Sequence, residues 1–72
     1  MEMAIERADK YGIGSVCLLN VGHIGALGYF SLMAARKDMI GMTMFGGGGS
    51  AMLPTWGAEP RFGTNPLAWA AP

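Results

Sequence analysis

Charge is scarce in this chain. Aspartate, glutamate, lysine and arginine make up 14% of its 72 residues, five acids against five bases, for no net charge. Binding to DNA or RNA rests on a basic surface that displaces counterions from phosphates. Here Arg7, Lys10, Arg36, Lys37 and Arg61 are scattered among the acids, so nucleic acid is excluded as a partner. Cysteine is nearly absent as well. With Cys17 alone, no internal disulfide or cysteine-based metal site can form, and with His23 the single histidine, no histidine cluster can replace it. The apolar surroundings of Cys17 predict a small buried core residue in a reducing compartment. An unbroken hydrophobic run is also missing. The apolar region 16–35 is interrupted by Asn20, Gly22, His23, Gly25, Gly28 and Ser31, which excludes a membrane-spanning helix. The N-terminus mixes acids and bases and lacks a basic-then-apolar export pattern, so the expected location is cytoplasmic, with no membrane partner.

What the chain has in quantity is apolar surface: 51% of its residues are hydrophobic. Small domains bury only a modest share of their surface and depend on charged exteriors, disulfides or metals. This composition predicts a fragment, or one segment of a larger obligate assembly.

In MEMAIERADKYG, Met1, Ala4, Ile5, Ala8 and Tyr11 recur at helical spacing, and Glu6 precedes Lys10 by one helical turn on the outer side. An amphipathic helix ended by Gly12 is expected. SVCLLNV (15–21) is a short apolar run bounded by glycines and reads as a buried strand. Residues 25–37 form a second helix, apolar on most sides and therefore buried, with Arg36 and Lys37 in its last turn, where cations suit the dipole. MIGMTMF (39–45) reads as a second strand, a long glycine- and proline-marked loop follows over 46–66, and LAWAA opens a third strand. The expected class is α/β, in the order helix, strand, helix, strand, long loop, strand. The tract GGGGS (46–50) matches a common engineered linker, but a native glycine turn is the preferred reading.

Two stretches carry candidate chemistry. In NVGHIGALGYF, a strand ending at Gly22-His23 and a helix starting within two residues place free backbone N–H groups beside the imidazole. Such a helix start attracts anions such as a dinucleotide diphosphate, and glycines allow close approach. The glycines at 22, 25 and 28 do not spell the G-x-G-x-x-G fingerprint. On the residues alone a structural, hydrogen-bonded histidine stands ahead of a functional one. In PTWGAEPRFGTNPLAWAAP, prolines and glycines frame a rigid loop that presents Thr64 and Asn65. A turn in which Asn65 bonds its own backbone is an equal alternative.

Taken together, NVGHIGALGYF, SLMAARKDMIGM and PTWGAEPRFGTNPLAWAAP resemble the malate/L-lactate dehydrogenase family over nearly the whole chain, including the family's GTNP at 63–66. The resemblance implies that residues 1–72 are an incomplete part of a single NAD(P)-binding oxidoreductase domain, an internal fragment of a coenzyme-binding fold that is not the Rossmann fold. It implies an enzyme that moves a hydride between NAD or NADP and a small 2-hydroxy or 2-oxo acid such as malate or lactate, and a homodimer when full length. By the same resemblance His23 is the catalytic acid/base or a coenzyme residue, and a further family histidine in an upstream Ser-His-Gly motif, absent here, is its rival. His23, Ile24, Gly25, Ala26 and Leu27 lie along the coenzyme, and Thr64 contacts substrate. No metal is implied, and the fragment alone is expected to be inactive. One departure stands out: where relatives read Thr-Asn-Ser, with a serine that can contact the coenzyme, this chain has Phe45-Gly46-Gly47. Backbone N–H groups of the two glycines can replace the lost hydroxyl. The alternative from another class is a non-catalytic remnant or assembly module of the same fold.

Overall fold

A computed structural model describes residues 1–72. It contains helix α1 (Glu2–Tyr11), helix α2 (Leu27–Ala35), strand β1 (Gly41–Met44) and strand β2 (Leu67–Ala70). The fold is a small α/β arrangement in which β1 and β2 pair antiparallel, with Gly41 opposite Ala70 and Met44 opposite Leu67. The molecule is elongated, 49 Å by 26 Å by 16 Å. No helix is long and apolar enough to cross a membrane.

Helix α1 ends where the sequence places its stop. Gly12 takes the left-handed conformation at φ 85°, and its N–H closes on Ala8 O. Gly14 then passes so close to the helix backbone that a Cβ there would meet Ala4 O and come within 2.8 Å of Ala8 N. The Arg7 guanidinium donates to Ser15 O at 2.8 Å and ties the following segment back to the helix.

Residues 15–21 correct the expected strand: they have no regular secondary structure and belong to no ladder. An apolar run states that burial is favourable, but a strand also requires a neighbour offering backbone donors and acceptors, and β1 and β2 pair with each other instead. Val16, Leu18, Leu19 and Val21 are consequently exposed, and so is Cys17, against the expectation of a buried thiol. Asn20, at φ 55°, turns the chain toward His23.

Helix α2 starts two residues later than expected and has its termination built from backbone. Asp38 is left-handed at φ 57°, its N–H donates to Ala35 O at 3.1 Å, and Met39 N–H donates to Ala34 O at 3.1 Å. This double bond set is a Schellman closure with an aspartate in the usual glycine position. Arg36 and Lys37 lie in that closing turn, just beyond the helix. The helix is buried on one face only: Leu27, Ser31 and Ala34 are covered, while Tyr29 and Leu32 are exposed.

That covered face sits on the sheet. Ser31, with no exposed surface, places Oγ 2.9 Å from Thr43 Oγ1 and 3.1 Å from Ala68 O. A hydroxyl has one proton, so Ser31 donates to the Ala68 carbonyl and accepts from the Thr43 hydroxyl, and one side chain joins α2 to both strands. Gly41 permits the approach, because a Cβ there would collide with Ser31 O and lie 2.9 Å from Ala34 Cβ.

The long loop 46–66 is a narrow arm that prolongs the sheet. Phe45 N–H donates to Pro66 O at 3.1 Å and Gly47 N–H to Thr64 O at 2.9 Å, in the register of β1 and β2. Farther out, Met52 bridges Phe62. Between these pairings four residues, 48–51, lie against one, Gly63, with Ala51 N–H donating to Phe62 O at 2.9 Å, so the tract is an irregular bulge of several residues that shifts the register of the outer arm. A turn at the tip, with Gly57 N–H donating to Pro54 O at 2.9 Å, holds Trp56 fully exposed at φ 63°.

Replacing Ser31 by Ala leaves the Ala68 carbonyl and the Thr43 hydroxyl without their partner and is expected to cost about 1–3 kcal/mol. Gly41→Ala is expected to destabilise further, by separating α2 from β1. Urea unfolding of the whole protein carrying these residues checks both; an unchanged midpoint for Gly41→Ala would show that the helix does not sit this close.

Candidate active site

The Ser31 junction brings three chain ends to one place. The segment entering α2, the residue leaving β1 and the residues entering β2 enclose a cavity of about 150 Å³ lined by His23, Ile24, Gly25, Leu27, Phe45, Thr64 and Pro66. His23 and Thr64, distant in sequence, therefore face the same small volume.

Gly25, at φ 77°, bends the backbone so that its own N–H donates to His23 Nδ1 at 3.1 Å. Glycine adopts this left-handed conformation without the penalty a Cβ would add. An imidazole that accepts at Nδ1 carries its proton, when neutral, at Nε2. His23 is thus a histidine with one nitrogen engaged by the backbone and the other left as a donor, on an exposed side chain.

Helix α2 has Ala26 at its cap, with no side chain hydrogen-bonded there. Tyr29 N–H reaches back to Ala26 O at 3.1 Å, and the N–H groups of Leu27 and Gly28, ahead of it, have no protein acceptor. Added Cβ atoms at Gly22, Gly25 and Gly28 would meet nothing within 4 Å, so the surface along 22–28 is open to a ligand.

Of the residues singled out from the sequence, His23, Ile24, Gly25, Leu27 and Thr64 line the cavity. Ala26 does not; it forms the helix cap instead. Asn65 is exposed and outside the lining. Phe45 and Pro66 were not anticipated there. The signal for Pro66 was its place directly before the last strand, and for Phe45 its place at the end of β1, where the antiparallel partner delivers Thr64 and Pro66. The walls hold no lysine, arginine, aspartate or glutamate, so His23 is the single titratable side chain of the cavity.

This arrangement is a small, largely apolar chamber with one imidazole and one hydroxyl at the mouth of an uncapped helix. The family model described as malate/L-lactate dehydrogenase matches residues 1–72. The chain belongs to the malate/L-lactate dehydrogenase family. It is 49% identical over 72 residues to a malate dehydrogenase of Pyrococcus abyssi, a match covering all of this chain and 20% of that protein. It is 44% identical over 70 residues to the L-sulfolactate dehydrogenase of Methanocaldococcus jannaschii, covering 97% of this chain and 20% of the relative. It is also 44% identical over 72 residues to an NAD(+) ureidoglycolate dehydrogenase of Escherichia coli O157:H7, covering all of this chain and 20% of that enzyme. The chain thus spans about one fifth of the length of these relatives. No solved structure matches it.

The Gly25 contact predicts the tautomer of His23. Long-range ¹⁵N–¹H correlation spectra at a pH where the ring is neutral should show the proton on Nε2; a proton on Nδ1 would mean that the Gly25 N–H does not hold the ring.

Proposed function

We propose that residues 1–72 form part of the coenzyme-binding domain, of non-Rossmann type, of a dehydrogenase that interconverts a 2-hydroxy acid and a 2-oxo acid with NAD or NADP. The observation that carries this reading is the convergence of His23 and Thr64 on one cavity beside the open start of α2. The relatives, among them malate, L-sulfolactate and ureidoglycolate dehydrogenases, suggest the substrate class.

The residues present fit a nicotinamide coenzyme in two respects. A volume of about 150 Å³ takes a single small ring or a small acid but not a dinucleotide, so the rest of such a coenzyme has to lie along the open surface at 22–28. There the unpartnered N–H groups of Leu27 and Gly28 and the absence of an acidic residue suit the negative diphosphate. When bound, the nicotinamide supplies or accepts the hydride at the substrate carbon.

What the chain itself contributes is proton handling, orientation and the exclusion of water. During reduction of a 2-oxo acid, the carbonyl oxygen gains negative charge and requires a proton. His23 in its imidazolium form is the donor, releasing the Nε2 proton and keeping the one on Nδ1, and in the oxidation direction Nε2 takes the hydroxyl proton back to restore the imidazolium. The Gly25 N–H engages Nδ1 of the neutral ring, so protonating the imidazole for this step opens that contact. Thr64 orients the acid through its hydroxyl, and Ile24, Leu27, Phe45 and Pro66 supply apolar walls that displace water around the developing charge. No cation lines the cavity, so the acid's carboxylate is received by hydrogen-bond donors or by groups outside these residues.

In the whole protein that carries this chain, His23→Ala should lower kcat by about 100-fold or more, the usual contribution of a positioned acid/base. Steady-state kinetics with a panel of 2-oxo acids and both reduced coenzymes checks this; a variant that keeps its turnover and its coenzyme affinity removes His23 from the reaction. Thr64→Val should raise the KM of the acid and leave that of the coenzyme nearly unchanged, and equal effects on both would assign Thr64 elsewhere.

A further inference from the structure

Four glycines follow Phe45, and they are not equivalent. An added Cβ at Gly46, Gly48 or Gly49 would meet nothing within 4 Å. At Gly47 it would lie 2.8 Å from Thr64 Oγ1 and 3.2 Å from both Thr64 O and Phe45 Cε1. The Gly47 N–H already donates to Thr64 O at 2.9 Å, so Thr64 rests on Gly47 through its backbone and its hydroxyl together. Gly63 completes the clasp from the opposite strand. A Cβ there would collide with Gly47 O and lie 2.8 Å from Gly49 O.

We propose that Gly47 is a positioning residue whose bare α-carbon sets the place of the Thr64 hydroxyl in the cavity, and so the affinity for the acid. The inference rests on the reading that Thr64 contacts the acid. Threonine is stiff about its first side-chain bond, so an obstruction at Oγ1 is not absorbed by a small adjustment. Rotation to another rotamer carries the hydroxyl away from its place, and backing the main chain off lengthens the Gly47 to Thr64 hydrogen bond. Either way the hydroxyl moves while His23, on a different segment, does not.

Backbone strain is not the cause of the expected effect. Gly47 is not among the glycines with positive φ, which are Gly12, Gly25 and Gly49, so alanine fits its backbone. What an added methyl meets there is Thr64 and the Phe45 ring. Gly48, in open space and without positive φ, is the matched control in the same tract.

The test is a double-mutant cycle on the whole protein: Gly47→Ala, Thr64→Ala and the pair, with Gly48→Ala as control, reading kcat and the KM of a 2-oxo acid and of the coenzyme. Gly47→Ala should raise the KM of the acid about 10-fold, the worth of one displaced hydrogen bond, with kcat and the coenzyme KM little changed. Gly48→Ala should behave as the parent protein. In the Thr64→Ala background, where Oγ1 is gone, Gly47→Ala should add nothing. The proposal is overturned if Gly47→Ala raises the acid KM by the same factor in both backgrounds, or if it lowers kcat and coenzyme affinity in parallel, as collapse of the arm would. If Thr64→Ala alone leaves the acid KM unchanged, the acid contact itself is wrong, and that outcome is recognisable before the pair is made.

Discussion

The structure depends on the seat of α2 on the two-stranded sheet, and that seat is a buried hydrogen-bonded serine. Ser31 links the Thr43 hydroxyl of β1 and the Ala68 carbonyl of β2 to one helix position, and Gly41 removes the side chain that would keep the helix away. In a chain with four buried residues, apolar area alone does not define the angle or register of this packing. A directional bond set at a part-buried contact does, because a slip of the helix would leave the fully buried Ser31 hydroxyl without its partners on both strands. The site follows from it. His23 lies just before α2, Phe45 just after β1 and Thr64 just before β2, so locking these three elements locks the cavity they enclose.

The arm beyond the sheet shows how a glycine tract acts as structure. Pairing runs on from β1 and β2 through Phe45 and Gly47 in unchanged register, and the surplus residues 48–51 are then taken up opposite Gly63. Glycines on both sides let the two backbones touch where side chains would hold them apart, Gly47 against Thr64 and Gly63 against Gly47 and Gly49. The proline-marked tip, with exposed Trp56, lies on the far side of this bulge from the cavity. The residues lining the cavity thus sit in or at the ends of the connections, beside the regular elements that set their distances.

Much of this was legible in the residues. The stop of α1 at Gly12, the apolar helix after Gly25, the strand around Thr43 and the strand LAWA all had local signals of period, cap or bounding glycine and proline. The cavity-lining candidates His23, Ile24, Gly25, Leu27 and Thr64 came from the resemblance to a family and from the junction of two segments. What local signals could not supply was pairing. SVCLLNV has the composition of a strand and no partner, so it is irregular and exposed, and Cys17 with it. The tract 46–51 looks featureless because its pairing is made by backbone alone, and nothing in four glycines announces which one will touch Thr64. Phe45 entered the cavity for the same reason: its neighbours there arrive from the far strand.

The central claim is that the small acid is received in the cavity at Thr64 while a nicotinamide coenzyme lies along the open surface beside His23 and Ile24. Its most direct test is a methyl-resolved NMR titration of the whole protein, with Ile24 and Thr64 assigned, adding first NADH or NADPH and then oxamate, an unreactive analogue of a 2-oxo acid. The account predicts saturable shifts at Ile24 with the coenzyme alone and a further saturable shift at Thr64 when oxamate follows. Saturable binding of both ligands with neither methyl responding would place the reaction elsewhere in the protein and contradict the account.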